Sequence, residues 1–253
     1  MASNDDIATY ADRIHHAVTE LEHIQPLTDE TDLTVDDAYD IQDQVIEQLL
    51  GDAGAIVGYK LGLVSGAKQE QLGIDEPIYC PVPEQFLLDD VLDLDTCLNP
   101  RLEAEIGLVL DSPLEPPVTA TDVLTSTGAV VPVVEIIESR FEGWRIPTAE
   151  DVIADITSGR RVVVGDQLCD VRDVDLAMES VTLTHNGELV ETGVGADIMG
   201  NPARGVAWLA ERLSEDGATL GAGDLIMTGG ITAAVDIEAN GPFEQVADLL
   251  AGM

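Results

Sequence analysis

The sequence predicts an α+β fold, a helical N-terminal part leading into a strand-rich body. Three observations predict it. Apolar residues recur at helical spacing in two segments before residue 53; from residue 101 the pattern turns mainly to short β-branched runs; and neither an internal repeat nor a low-complexity linker interrupts the chain. The expected division is residues 1–53 and 54–253, read as parts of one structural unit.

Taken in order, residues 3–23 place Ile7, Tyr10 and Ile14 on one helical face, and residues 34–50 do the same with Ala38, Ile41, Val45 and Leu49 behind an N-capping Thr34. "GAIVGYKLGL" is a short apolar run with glycines, read as a strand. "SGAKQEQLGI" reads as a capped helical turn ending at Gly73, and "DEPIYCPVPEQF" as a proline-punctuated loop. Strands are expected in "RLEAEIGLVL", "GAVVPVVEII", "RRVVVG", "SVTLTHNGELVETG" and "DLIMTGG", with "HNGE" as a hairpin turn. Helical interruptions are expected at 119–125, at 147–154, and in "NPARGVAWLAERLSEDG", which has proline near its start and glycine past its end.

Charge restricts the function classes. The 253 residues carry 49 Asp and Glu against 11 Lys and Arg, a formal charge of −38, and the acids run from Asp5 to Asp248 rather than forming a tail. Nucleic acid is a poor partner and none is expected, because phosphate binding needs clustered cations. A dispersed acidic surface instead suits a halophilic solvent, where salt screens the self-repulsion. No apolar run reaches the roughly 18 residues of a membrane span, and "MASNDDIATYADRI" lacks the basic and apolar regions of a leader. A cytoplasmic protein is therefore expected, with no membrane partner. Cys80, Cys97 and Cys169 are odd in number and widely spaced, so they read as buried thiols. His15, His16 and His23 fall in the N-terminal helical segment and His185 in a turn, and no pair has metal-ligand spacing.

The informative strand is "RLEAEIGLVL". Glu103 and Glu105 are two apart and share one face, while Leu102, Ala104 and Ile106 share the other. Two carboxylates entering an apolar strand repel each other and resist desolvation; a cation between them resolves both problems. An E-x-E pair alone fits a solvated face of an acidic protein better than it fits a site. Glu135, set among branched aliphatics in "VVPVVEIIESR", does not, whereas Glu138 lies near that strand's end. Together the three favour an all-oxygen site for Mg²⁺ or Mn²⁺. Lys60, one of only two lysines (the other is Lys68), is either a snorkelling surface residue or a cation beside that site. Sequence physics leaves these two readings even.

"GYKLGLVSGAKQEQLGIDEPIYC", "RLEAEIGLVL", "PVVEIIESRFEGWRI" and "LIMTGGITAAV" resemble, in order and spacing from about residue 36 to about 240, the 2-oxopent-4-enoate hydratase/4-oxalocrotonate decarboxylase family of the fumarylacetoacetate hydrolase superfamily. The resemblance implies a mixed β-sandwich roll and a Mg²⁺- or Mn²⁺-dependent site. Its metal ligands would be Glu103, Glu105 and Glu135, with Lys60 as the active-site lysine, Ser158 on the substrate and Arg140 as support behind the carboxylates. Hydratases of the family typically carry an aspartate after the proline of the "DEPIYC" stretch, where this chain has Ile78. An aliphatic side chain cannot activate water, so the resemblance favours decarboxylation of 2-oxohex-3-enedioate to 2-hydroxypenta-2,4-dienoate, an intermediate of meta-cleavage aromatic degradation. The alternatives are the hydratase, a C–C bond hydrolase, or a non-catalytic partner of the hydratase. A small dianionic 2-oxo acid is the implied substrate, a sister hydratase and further copies of the chain the implied partners. The chain departs from the family at "ADITSG" (usually "ADNASS", so that Ile156 replaces an asparagine), at "GNP" (usually "GHP"), and at the C-terminus, where "FEQVADLLAGM" stops short of the strand that closes the family's sheet.

Overall fold

A computed structural model of the chain describes residues 2–88, 92–185 and 187–237. Helix α1 (Asn4–Glu20) starts at Ser3, whose hydroxyl and Asp6 cap each other, and α2 (Val35–Leu50) starts the same way at Thr34 with Asp37. Their apolar faces, Ile7, Ala11, Ile14 and Val18 on α1 and Ala38, Ile41 and Val45 on α2, are buried. These faces join the same core cluster as the sheet residues Leu61, Ile106, Leu108 and Ile226.

Strand β1 (Ile56–Gly62) leads into α3 (Gly66–Leu72), capped by Ser65 and ended by Gly73 at φ 74°. β2 (Ile78–Pro83) follows, where the sequence suggested a loop: it pairs antiparallel with β1, Lys60 opposite Cys80 and Gly62 opposite Ile78. Two prolines misled the reading. They are accommodated because β2 is the outer strand of the sheet, where a missing N–H leaves no ladder partner unsatisfied.

The order continues with β3 (Leu87–Leu88), β4 (Arg101–Leu110), α4 (Ala120–Ser126), β5 (Thr127–Ile137), α5 (Ala149–Ala154), β6 (Gly159–Val164), β7 (Ser180–His185), β8 (Glu188–Val194), α6 (Pro202–Glu215), β9 (Leu225–Met227) and β10 (Val235–Asp236). Among the described residues eight strands form one mixed sheet, β2-β1-β9-β4-β5-β6-β3, with β10 beside β4; β7 and β8 form a separate hairpin. β1 with β9 and β3 with β6 are parallel, the remaining pairs antiparallel. The N-terminal helical part and mixed sheet are those expected of an α+β chain.

Smaller corrections concern histidines and the chain's end. α1 stops before His23, which meets Asn99 instead, and His185 closes β7 rather than lying in a turn. Asn186 of the hairpin turn and the "FEQVADLLAGM" terminus lie outside the described residues. All three cysteines are free; Cys80 is buried and the other two half-buried. Among the described residues no helix is long and apolar enough to cross a membrane.

Candidate metal and active site

Strands β4 and β5 bring the three carboxylates together. Glu103 lies directly opposite Glu135 in the ladder, and Glu105 follows two residues along on the same face. One oxygen from each lies within 4.8 Å of the other two. Glu105 is 2% exposed and Glu135 1%, so the solvated-face reading of the E-x-E pair fails at Glu105. Glu105 Oε2 accepts the Gly229 N–H at 2.9 Å, while its Oε1 is buried with no hydrogen-bond partner among the described residues. Side-chain bulk is withheld opposite the third member: a Cβ on Gly230 would stand 2.5 Å from Glu103 Oε2.

Three converging carboxylates, one with an orphaned buried oxygen, make a donor set that fits a hard divalent cation. Burial, reinforced by the charge of Glu135, pushes Glu105 well above the usual carboxylate range. Burial also raises Glu135, against the pull of Lys60. Without a cation this pair is electrostatically frustrated, and a divalent ion would relieve it.

Lys60 is 5% exposed, which removes the snorkelling alternative. Its Nζ lies 2.5 Å from Glu135 Oε1 and donates to the Thr157 carbonyl at 2.7 Å. Burial alone would lower its pKa, but the charges of Glu135 and Glu105 outweigh that and raise it. The ammonium is therefore cationic. With three N–H donors and two oxygen partners it retains one for the adjoining cavity.

The Thr157 carbonyl is aimed by an unusual backbone. Ile156, Thr157 and Ser158 hold φ of 47°, 51° and 55°, a left-handed turn built without glycine, at a cost of roughly 1–2 kcal/mol per residue. The surroundings enforce it. Thr157 Oγ1 donates to the Tyr79 carbonyl at 3.2 Å, and the Glu138 N–H donates to the Ser158 carbonyl at 2.9 Å. The fully buried Arg140 donates through Nε and an Nη to the side chain and carbonyl of Asp155, and through its other Nη to the Gly159 carbonyl at 3.2 Å. Burial pushes the Asp155 carboxyl up to about 6 despite that guanidinium. Arg140 thus braces the turn, not the three carboxylates expected from the sequence, because its side chain runs toward residues 155–159 where Asp155 neutralises it.

A cavity of about 290 Å³ opens beside the cluster, lined by Lys60, Glu103, Glu135, Ser158 and Ile78 together with Leu72, Ile137, Ile146 and Val152. Ile78 is fully buried and Ser158 6% exposed. Three lining residues escaped the sequence reading as site members. Lys68 reaches Glu103 Oε1 at 3.3 Å from α3; Arg101 starts β4; and Trp144 lies under the Arg101 guanidinium, 4.4 Å from ring centre to Cζ. Cation scarcity was the available signal, since three of the chain's 11 Lys and Arg line this one cavity. A larger concavity of about 560 Å³, between α4 and residues 171–176, lies away from the carboxylate cluster.

The sequence matches the family described as fumarylacetoacetate (FAA) hydrolase C-terminal over residues 76–250. It is 39% identical over 239 residues, 93% of this chain and 90% of the relative, to a 4-oxalocrotonate decarboxylase of Pseudomonas sp. (strain CF600). It is 34% identical over 260 aligned positions, 100% of this chain and 98% of the relative, to a 2-keto-4-pentenoate hydratase of Burkholderia vietnamiensis (strain G4 / LMG 22486). Its fold superposes with a TM-score of 0.90 on the 4-oxalocrotonate decarboxylase from Pseudomonas putida G7 complexed with magnesium and adipate, at 36% identity and covering 94% of this chain and 92% of that one.

Proposed function

The chain belongs to the fumarylacetoacetate hydrolase family, and from that premise we propose that it is a carbon–carbon lyase, a metal-dependent decarboxylase of 2-oxohex-3-enedioate in meta-cleavage aromatic degradation. The observation that carries the reading is Ile78: a fully buried aliphatic side chain lines the cavity beside Lys60 and the carboxylate cluster, where the family resemblance implies an aspartate in water-adding members. A hydrocarbon wall cannot activate water for addition to a double bond. The magnesium and adipate of the 36%-identical decarboxylase, a divalent cation with a six-carbon diacid, support the same reading.

Glu103, Glu105 and Glu135 would hold Mg²⁺ or Mn²⁺, which when bound would supply a Lewis acid for the C1 carboxylate and C2 oxygen. In the reaction the C5–C6 bond breaks and C6 leaves as CO₂. The electron pair moves through C4 and C3 to the C2 oxygen, which is protonated to give 2-hydroxypenta-2,4-dienoate. Lys60, held between Glu135 and the Thr157 carbonyl, keeps a fixed positive charge beside that oxygen and carries a transferable proton at Nζ. Ser158, presented to the cavity by the left-handed turn, orients the substrate. Arg140 maintains the turn, and the aliphatic lining excludes water.

The supporting frame is a cytoplasmic, halophilic homo-oligomer that passes its product to an associated sister hydratase. The acidic composition favours the halophilic part of that frame. One assay separates the reactions: with Mg²⁺ in KCl, CO₂ release from 2-oxohex-3-enedioate is followed beside water addition to 2-hydroxypentadienoate. CO₂ release without hydration is expected. Hydration without CO₂ release would assign the hydratase instead, and loss of both with no Mg²⁺ or Mn²⁺ binding would leave a non-catalytic partner.

A further inference from the structure

Arg101 is held as a carboxylate receptor is held. Its Nε donates to Asp236 Oδ1 at 2.7 Å and its guanidinium lies on the face of Trp144, 4.4 Å from the ring centre. The indole is itself fixed, its N–H donating to the Asn99 carbonyl at 3.1 Å. Nη1 and Nη2 have no hydrogen-bond partner among the described residues. A stacked, oriented guanidinium with a free edge is suited to bidentate recognition of a carboxylate. Lys68, the other partly exposed cation on the cavity, is engaged by Glu103 and so belongs to the metal cluster.

The spacing fits a diacid. Arg101 and Glu103 are two residues apart on β4, so their side chains leave the same face about 7 Å apart, and both line the cavity. Five C–C bonds of about 1.5 Å in a zigzag span roughly 6 Å, the length of a six-carbon dicarboxylate from end to end. Building on the proposed reaction, we infer that Arg101, seated on Trp144, is the specificity-determining residue for the distal carboxylate of the substrate. It selects a dicarboxylate over the monocarboxylate that shares the same 2-oxo acid end. The contact is made on binding and kept as the reaction proceeds, so its loss should appear mainly in KM.

Titration calorimetry of the Mg²⁺-loaded protein with two ligands that differ only at the far end tests this: 2-oxohexanedioate and 2-oxohexanoate. In Arg101→Gln, affinity for the diacid is expected to fall at least tenfold while that for the monoacid changes less than twofold. Trp144→Leu, which keeps the charge and removes its platform, should lose part of the diacid preference. In turnover, Arg101→Gln should raise KM far more than it lowers kcat. Equal loss of both ligands, or loss of neither, overturns the distal site and leaves the proposed reaction standing. Failure of both keto acids to bind the unaltered Mg²⁺-loaded protein overturns the reaction, and the distal site with it.

Discussion

Glu105 and Lys60 are neighbours in one buried cluster with opposite duties, and single substitutions separate them. Glu105→Gln removes a charged donor with an orphaned oxygen, so Mg²⁺ affinity should fall more than about tenfold and turnover should vanish. Lys60→Ala removes a cation that competes electrostatically with the metal, so metal binding should survive while kcat falls by roughly 10²–10⁴. Metal titration and steady-state kinetics on the two variants check this, and unchanged turnover in either counts directly against the site. Lys60→Ala also leaves Glu135 buried without its cation, which in the metal-free protein should be destabilising by about 3–5 kcal/mol. The carboxylates were legible because E-x-E on a strand and a glutamate among aliphatics break the hydrophobic pattern. Arg101 was not, because an arginine at the start of a strand reads as ordinary surface until Trp144, 43 residues on, is seen beneath it.

Among the elements, β4 is the organiser: it carries Arg101, Glu103 and Glu105 on one face while Leu102, Ala104, Ile106 and Leu108 are buried on the other. The left-handed turn before β6 is its counterpart, strained so that one carbonyl meets one ammonium. β1 must carry Lys60 to the same place, and its register against β9 depends on Gly58. A Cβ there would overlap the Leu225 carbonyl oxygen. Gly58→Ala should therefore destabilise the fold by about 1–3 kcal/mol or more, measured by denaturant unfolding, and should weaken catalysis by displacing Lys60. Full stability in that variant would contradict the pairing of Gly58 with Leu225. Element types were read well where period and end signals agreed, as for α2 behind Thr34 and α6 with proline near its start. β2 was missed because its prolines are compatible with a strand only at a sheet edge, and edge position is a property of the assembled sheet.

At the scale of the whole molecule, a chain of charge −38 gathers four of its 11 Lys and Arg at or beside the site. Lys60 and Arg140 are buried on carboxylates, and Lys68 and Arg101 stand at the cavity. The remaining acidic surface repels itself over a Debye length that shrinks from about 10 Å at 0.1 M salt to about 3 Å at 1 M. Tm should accordingly rise between about 0.1 M and about 1 M KCl by more than about 4 °C, the effect of roughly 1–2 kcal/mol in a chain of this size. A Tm insensitive to KCl in thermal melts would remove the halophilic reading while leaving the active site untouched.

The sequence by itself determined the helical start, most of the strands, the family, and the three carboxylates, with Lys60 left between companion cation and chance. These follow from local periodicity and from residue types that a hydrophobic pattern does not tolerate without a reason. Only the tertiary structure decided between the two readings of Lys60, moved Arg140 from the carboxylates to the turn at 155–159, and joined Arg101 to Trp144. Each of those depends on which strands are neighbours in the sheet and how deeply a side chain is buried, quantities set by long-range packing.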